Sequence, residues 1–414
     1  MSAIPSRTWQ TLLPACLLIA ILPVTHTVAL RLLLLALTLG IALRAWLREP
    51  HPPIPARAML AVWSAIAVAS LAWSVDREYS SGEVINEIGY AMAAYFSFFA
   101  LGRTEHDFRR LMIGLFVGVG LASAYALVNF LRVGDWPAGH SIGIGDRNAF
   151  STTISLASVA FMLVLTDRRL APVRPLLAWL VLALGLIAAS LTLNRTIWPA
   201  LGAAAIVYLL AYNANRLQTS RNRMVAALLV VLIAAIGTSQ FFLTTKIRRS
   251  EQSAAQGVVT TVINDERVPI WKYALQRAAD RPLSGFGYGR GILRKDFRAR
   301  IGNELAWHAH NVFLNHAISL GIPGLVTYCL MLLALCSAFL HLVRKQDSRI
   351  RSLGAFGLAL LTCLFVRSLA DDTIVRENAL LFWSLTGMAL GAGLRRIDHL
   401  SSAAAVSAHS ATAG

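Results

Sequence analysis

The chain has 414 residues, of which 56% are hydrophobic and 14% charged, with a mean hydropathy of +0.60. Soluble domains carry roughly a quarter charged residues, so this composition argues against a water-soluble enzyme and for an integral membrane protein. The net charge of +17 then belongs to loops retained in the cytoplasm, where Arg and Lys set orientation, and implies no nucleic-acid partner.

Apolar runs approaching the ~20 residues of a bilayer-crossing helix recur about twelve times. They lie near 10–25, 29–46, 58–73, 88–102, 111–132, 148–166, 176–192, 196–213, 224–243, 312–343, 353–369 and 379–394. The runs 10–25 and 58–73 are short, so a count of eleven also fits. The first run carries no recognisable cleavage site. Cys16, Cys329, Cys336 and Cys363 all fall in apolar runs without CxxC spacing, which predicts buried small residues and neither disulfides nor metal ligands. The organisation expected is transmembrane helices one to nine over 1–243, a periplasmic helical segment over 244–310, and three more spans over 311–396. A low-complexity tail, 397–414, is expected to be disordered and cytoplasmic.

Alternate loops sort by charge. GRTEHDFRR, TDRRLAPVR, NANRLQTSRNR, RKQDSRIR and LRRIDH are Arg-rich and should be cytoplasmic, with both termini inside. The opposite face holds WSVDREYSSGEVINE, GDWPAGHSIGIGDRNAF, TLNRT, the stretch 244–310 and ADDTIVRENA, and with them Arg147, Arg195, Arg267 and Arg376. In a Gram-negative cell this face is periplasmic. Long translocated loops tolerate arginine, but Arg195 sits in a very short turn between two apolar runs. There a guanidinium either snorkels to the headgroups or meets an anion in a wet cavity.

DERVPIWKYALQRAAD reads as an amphipathic helix, with Asp265 as N-cap, Pro269 in the first turn and Val268, Trp271 and Leu275 at helical spacing. Arg267 lies at its N-terminal end, where backbone N–H groups favour anions. GFGYGRG follows without a preceding strand, so its glycines suit a tight turn back to the membrane better than a nucleotide cradle. ILRKDFRARIG is basic and amphipathic. It would rest on anionic headgroups or contact an anionic lipid substrate, and the sequence leaves both readings open.

HAHNVFLNHAISLGIPG places Asn311, Asn315 and Ser319 at i, i+4 and i+8, one polar stripe down a helix face. Facing lipid, that stripe would be costly, so it should face the bundle or a water-filled cleft, as interhelical glue or as a site. Gly321, Pro323 and Gly324 should kink the helix just below. His310 can accept a proton near neutral pH; His308 and His316 have a weaker claim. Arginines suited to bidentate phosphate binding beside a histidine fit a transferase that cleaves a lipid-linked phosphate donor. No paired-carboxylate cluster points to a divalent cation, although Asp371 and Asp372 adjoin.

These residues also carry a family resemblance. LAWSVDREYS, GDRNAFS, LTLNRTIWPAL, ERVPIWKYAL with RPLSGFGYG, and HAHNVFLNHAISLGIPG occur in the order in which the O-antigen ligase and polymerase superfamily presents its motifs, and the chain resembles that superfamily over most of its length. Asn194 stands where Ser is usual in the turn before Arg195. The resemblance implies an all-α, GT-C-like glycosyltransferase with no cofactor and no metal. Its donor would be undecaprenyl-diphosphate-linked O-antigen and its acceptor a sugar hydroxyl of lipid A–core. Carried onto this chain, Arg195 and Arg267 would hold the donor diphosphate with Arg147 as a third cation, and His310 would orient or deprotonate the acceptor. Asn148 and Asn311 would line the substrate, and Asp372 and Arg376 would pair to orient the site. An O-antigen polymerase and a protein O-oligosaccharyltransferase use the same donor and are the nearest alternatives. A transporter, from a different class, should show an internal repeat and mid-membrane ionisable residues, and the unusual residues here gather at one face instead.

Overall fold

The computed structural model describes residues 6–134, 136, 143–213, 267–302, 306–373 and 375–412. The expected span 224–243 and the proposed N-cap Asp265 lie outside them. The described residues are almost wholly helical, without strands beyond a single bridge between Val24 and Ile144. In chain order the helices are α1 (Trp9–Ile21), α2 (Val28–Arg48), α3 (Arg57–Ala69), α4 (Arg77–Glu83), α5 (Tyr90–Leu101), α6 (Glu105–Val133) and α7 (Arg147–Thr166). They continue with α8 (Pro175–Ser190), α9 (Ile197–Asn213), α10 (Arg267–Asp280), α11 (Arg294–Ile301), α12 (Val312–Val343), α13 (Ser348–Ser368) and α14 (Arg376–Thr412).

Among the described residues, six stretches are long and apolar enough to cross a membrane: α2, the run from α4 through α5, α6, α7, α12 and α13. Shorter apolar helices α1, α3, α8 and α9 pack among them. The protein is an all-α, multi-pass membrane protein. Leu33, Leu47, Leu121, Leu131 and Leu176 project from the bundle exposed, as a lipid-facing surface requires and an aqueous one would penalise.

Helix starts follow local capping chemistry. Thr104 and Asp107 form a reciprocal capping box on α6, and the carboxylates of Asp146 and Asp347 accept backbone N–H groups opening α7 and α13. The centre of the bundle is α7 and α13, whose apolar windows are 89% and 78% buried. α7 can sit there because its sequence is rich in Ser, Thr and Ala, which let neighbouring backbones approach. The hydroxyls of Ser151, Thr152, Thr153, Ser155 and Thr166 bond back to carbonyls of the helix, as where Ser155 donates to the Ser151 carbonyl at 2.7 Å, while the buried Ser158 hydroxyl has no partner among the described residues. α13 packs against α9 and α12, α14 against α5, and α1 against α6.

The two ends of the bundle differ in chemistry. One end is tied by ion pairs: Glu49 with Arg7 (2.8 Å) and Arg103 (3.1 Å), Arg396 with Asp347 (2.7 Å) and Glu105 (2.9 Å), and Arg349 with Glu105. Arg103 and Glu105, Asp347 and Arg349, and Arg396 belong to three of the Arg-rich loops that the charge pattern groups together, whereas Arg7 and Glu49 lie outside those loops. The arginines and histidines of interest lie at the opposite end.

Three expectations change. The stretch WSVDREYSSGEVINE does not stay a loop: helix begins at Arg77, capped by Asp76, and passes through a π-turn at Val84–Gly89 into α5. Leu275 stands 57% exposed, and α10 instead buries Ile270 and Ala274, with Trp271 partly covered. The covering surface of Phe286 and Ile318 selects that face. The tail does not end as coil, because α14 runs on to Thr412. Its Ala-rich sequence extends an existing helix and so needs no new nucleus.

Where α14 crosses α5, a Cβ on Gly387 would lie 2.5 Å from the Tyr95 carbonyl oxygen. Gly387→Val is therefore expected to destabilise the fold by about 2–4 kcal/mol, since backbone cannot yield as a side-chain tip can. Thermal melting of detergent-solubilised protein checks this, and an unchanged midpoint would contradict the packing described.

Candidate functional site

The site is organised around a break in α12. Pro323 has no N–H and would clash with the carbonyl four residues back, that of Ser319. Gly321 leaves the helix with φ 67° and ψ −170°, a conformation a side chain would resist. The freed groups are taken up by the glycine-rich turn after α10. Phe286 N–H donates to the Ile318 carbonyl and Gly287 N–H to the Ser319 carbonyl, each at 3.0 Å, while Ile322 N–H donates to the Pro282 carbonyl at 2.7 Å. Gly285, at φ 64°, lies so close that a Cβ would stand 2.4 Å from the Ser319 oxygen.

The same turn is sewn to the segment before α4. The Trp73 indole N–H donates to the Ser284 carbonyl (2.8 Å), Val75 N–H to the Phe286 carbonyl (3.0 Å), Tyr288 N–H to Ser70 Oγ (3.1 Å) and Gly291 N–H to the Tyr79 hydroxyl (2.9 Å). Three motifs distant in sequence thus form one knot at one end of the bundle. The glycines make a tight turn onto the helix, as the sequence predicts.

Just above the break, Asn311 caps α12 by accepting from Leu314 N–H and donates its amide to the Leu369 carbonyl at 2.9 Å. Asn315 donates to Asp372 Oδ2 at 2.7 Å and accepts from Ala309 N–H at 3.1 Å. The polar stripe therefore faces the bundle, with Asn315 and Ser319 buried, and it fastens the 369–373 loop to the histidine segment. His310 itself has φ 48°, a left-handed conformation costing about 1–3 kcal/mol for such a residue. Three bonds hold it there: the Trp271 indole to the Ala309 carbonyl (2.9 Å), the Asn315 link to Ala309, and His310 N–H to His308 Nδ1 (2.9 Å).

The His310 ring lies 3.9 Å from that of His308, and its Nδ1 is 3.7 Å from Asp371 Oδ1. Because His308 Nδ1 accepts a hydrogen bond, that ring carries its proton on Nε2. Burial, and then the nearby His310 and Arg290, push the His308 pKa well below the usual range. Asp372 is raised, by burial first, against the pull of Arg290 and with a push from Asp371. Arg290 stacks over Trp307 at 5.0 Å, and its charge acts on Asp372, Glu87 and Glu83. A cavity of about 30 Å³ lies among Trp63, Glu87, Arg290, Asn315, His316 and Asp372. Glu87 Oε1, His316 Nε2 and the Tyr328 hydroxyl, all buried here, have no hydrogen-bond partner among the described residues.

A second cluster stands on the neighbouring turns. Asn148 Oδ1 accepts from Asn194 Nδ2 at 3.0 Å and from Arg367 Nη2 at 3.1 Å. Arg147 and Arg195, each adjacent to one of these asparagines, are exposed at this end of the bundle. Arg267 opens α10 one helical turn before Trp271, hence on the same face, and Trp271 is bonded to the residue preceding His310. Arg376 is exposed at the start of α14, with φ 48°. The expected Asp372–Arg376 pair does not form. Asp372 takes Asn315 and the field of Arg290, and the neighbouring Glu377 pairs with Arg31 at 3.1 Å.

Arg290, Arg367, Glu87 and Asp371 were not singled out from the sequence as site residues, although each left a signal. Glu87 and Arg367 are charges within or at the edge of apolar runs, which membranes admit at a cost and so mark as functional. Arg290 was hidden in a motif read only for its glycines. Among the described residues, no group of His, Cys, Asp and Glu suits a metal ion.

Residues 180–329 match the family model described as O-antigen ligase. Over that stretch the chain is similar to the O-antigen ligase family. The matched segment contains Arg195, Arg267, the glycine turn, His310 and the break at Gly321, and so two of the three motifs of the knot, while residues 70–79, Asn148, Arg367, Asp371 and Asp372 lie outside it. No curated protein matches the chain.

The neutral His308 gives a pH dependence with a definite sign. Its folded pKa lies below the unfolded value of about 6.5. The unfolded chain therefore binds the extra proton, and stability declines as pH falls through that value. Melting midpoints between about pH 7.5 and 5 should fall more for the wild type than for His308→Gln. Parallel curves would show that His308 is not the group responsible.

Proposed function

We propose that this protein transfers O-antigen polysaccharide from undecaprenyl diphosphate to a sugar hydroxyl of lipid A–core at the periplasmic face of the bacterial inner membrane. It does so as a GT-C-like, metal-independent glycosyltransferase with about twelve spans and cytoplasmic termini. The observation that carries this reading is His310, held in a strained backbone conformation beside Asp371, within the stretch similar to the O-antigen ligase family and at the same bundle end as Arg195 and Arg267.

With Nδ1 turned toward Asp371, Nε2 of His310 addresses the acceptor hydroxyl and takes its proton. The acceptor oxygen then forms its bond to the anomeric carbon while the bond from that carbon to the diphosphate oxygen breaks. Undecaprenyl diphosphate leaves with the electron pair. Arg195 and Arg267, with Arg147 behind them, stabilise the charge growing on the diphosphate. Asp371 balances the imidazolium formed meanwhile, as the orienting carboxylate does in other histidine-base sites. Asn148, Asn311 and Asp372 hold the surrounding frame, and Arg376 meets the substrate from the rim. HAHNVFLNHAISLGIPG, with His310–Asn311 followed by Leu320–Gly321 and Gly324, resembles the segment associated with the ligases and favours a ligase over the polymerase and the protein O-oligosaccharyltransferase.

Purified protein with defined lipid-linked donor and lipid A–core should release undecaprenyl diphosphate only when both are present. Arg267→Ala and His310→Ala should each lower the rate on the order of 100-fold or more with melting midpoints unchanged. Arg195→Lys should also be badly impaired, because an ammonium cannot replace a planar fork. Near-normal transfer by Arg267→Ala would remove the diphosphate clamp. A chelator should leave the rate unaltered; its loss, with recovery on adding Mg²⁺, would overturn the metal-independent reading. In cells, deletion should leave polymeric O-antigen on undecaprenyl diphosphate with bare core, whereas loss of a polymerase leaves single repeat units on core.

A further inference from the structure

Arg367 is a fully buried guanidinium near the end of α13, with 0% of its surface exposed. Its hydrogen bonds all go to neutral oxygens: Thr152 Oγ1 (2.8 Å), Ser151 Oγ (3.0 Å) and Asn148 Oδ1 (3.1 Å) from Nη2, and Ser155 Oγ (3.3 Å) from Nη1. Its buried Nε has no partner among the described residues. A charged group in a membrane bundle costs several kcal/mol unless paired or functional, yet among the described residues no carboxylate bonds to this one. The carboxylate whose charge does reach it is Asp371, one turn further along the chain, and Asp371 is the residue beside His310 Nδ1. On its other side, Arg367 shares Asn148 Oδ1 with Asn194, the residue preceding Arg195.

We propose that Arg367 is the positioning residue that joins the two halves of the site, fixing the Asn148–Asn194 bridge beneath Arg195 while anchoring the end of α13 that leads, one turn on, to Asp371 beside His310. This rests on the transferase reading above and goes beyond it. The cation responsible for geometry is buried under the site and touches neither substrate. The donor set explains the choice of side chain, since one planar fork serves four oxygens of α7 at once and still leaves its charge uncancelled. Lysine, a point charge with a flexible stem, cannot do both.

The test uses the full-length protein with defined donor and acceptor. Arg367→Met and Arg367→Lys should each lower kcat by more than 10-fold and raise the KM for the lipid-linked donor, whereas a purely structural role would lower only the folded fraction. Arg367→Met combined with Asp371→Asn should be no worse than the poorer single variant, because the two act as a unit; multiplying effects would refute the coupling. If Arg367→Met does not fold, Ser151→Ala with Thr152→Val retains the charge but removes two anchors, and the same rise in donor KM is expected. Unchanged kcat and KM in folded variants overturn the inference while wild-type turnover keeps the transferase reading intact. If the wild type itself does not transfer, that reading fails and an electron cryo-microscopy map of Arg367→Lys decides the inference separately. Loss of the Asn148–Asn194 bond and a displaced Asp371 would support it; an unmoved pair would sink it.

Discussion

Everything at the functional end of this bundle depends on the exchange of hydrogen bonds at Gly321 and Pro323. A helix broken inside a membrane leaves carbonyls with no water to bind, and such a break persists only where protein supplies replacement donors. Here the replacement comes from the backbone of residues 286 and 287. The turn that supplies it is itself bound to residues 70–75 and to Tyr79. The break therefore does more than bend a helix. It locks the segment after α10 against the upper turn of α12, and through Trp271 and Asn315 it fixes the backbone of Ala309 and His310.

A rigid frame of this kind suits chemistry that relies on charge placed in advance. Glycosyl transfer from a diphosphate develops negative charge on the leaving group, and preformed cations stabilise it without reorganising at the moment of reaction. The arginines at this end stand on separate elements, the starts of α7 and α10 and the turn between α8 and α9, so their spacing is a property of the packed bundle. The opposite end is held by a separate ion network around Glu49, Glu105 and Asp347. That network clamps the helices at the end away from the site, while at the polar end Glu377 pairs with Arg31.

Much of this was legible from single residues. The i, i+4 spacing of Asn311, Asn315 and Ser319 showed a polar face that had to turn inward, and it does. Gly321 and Pro323 announced the break, and the absence of a strand before GFGYGRG ruled out a nucleotide cradle in favour of a turn. Less legible were Glu87, placed in a loop by its polar neighbours, and the buried face of α10. In each case a local pattern was compatible with two answers, and a partner surface distant in sequence selected one.

What the sequence by itself determined is therefore the material: a membrane-embedded helical protein, arginines set aside on one face, a histidine at a helix mouth and a helix that must break. Hydropathy, capping and proline sterics act over a few residues, so they can be read locally. Tertiary structure alone decided which groups meet. Asp372 finds Asn315 instead of Arg376, Asp371 stands beside His310, and Asn148 joins Asn194 to a buried guanidinium. Those pairings follow from how α7, α12 and α13 pack, because the direction of a side chain at a helix crossing is set by the neighbouring helix as much as by its own.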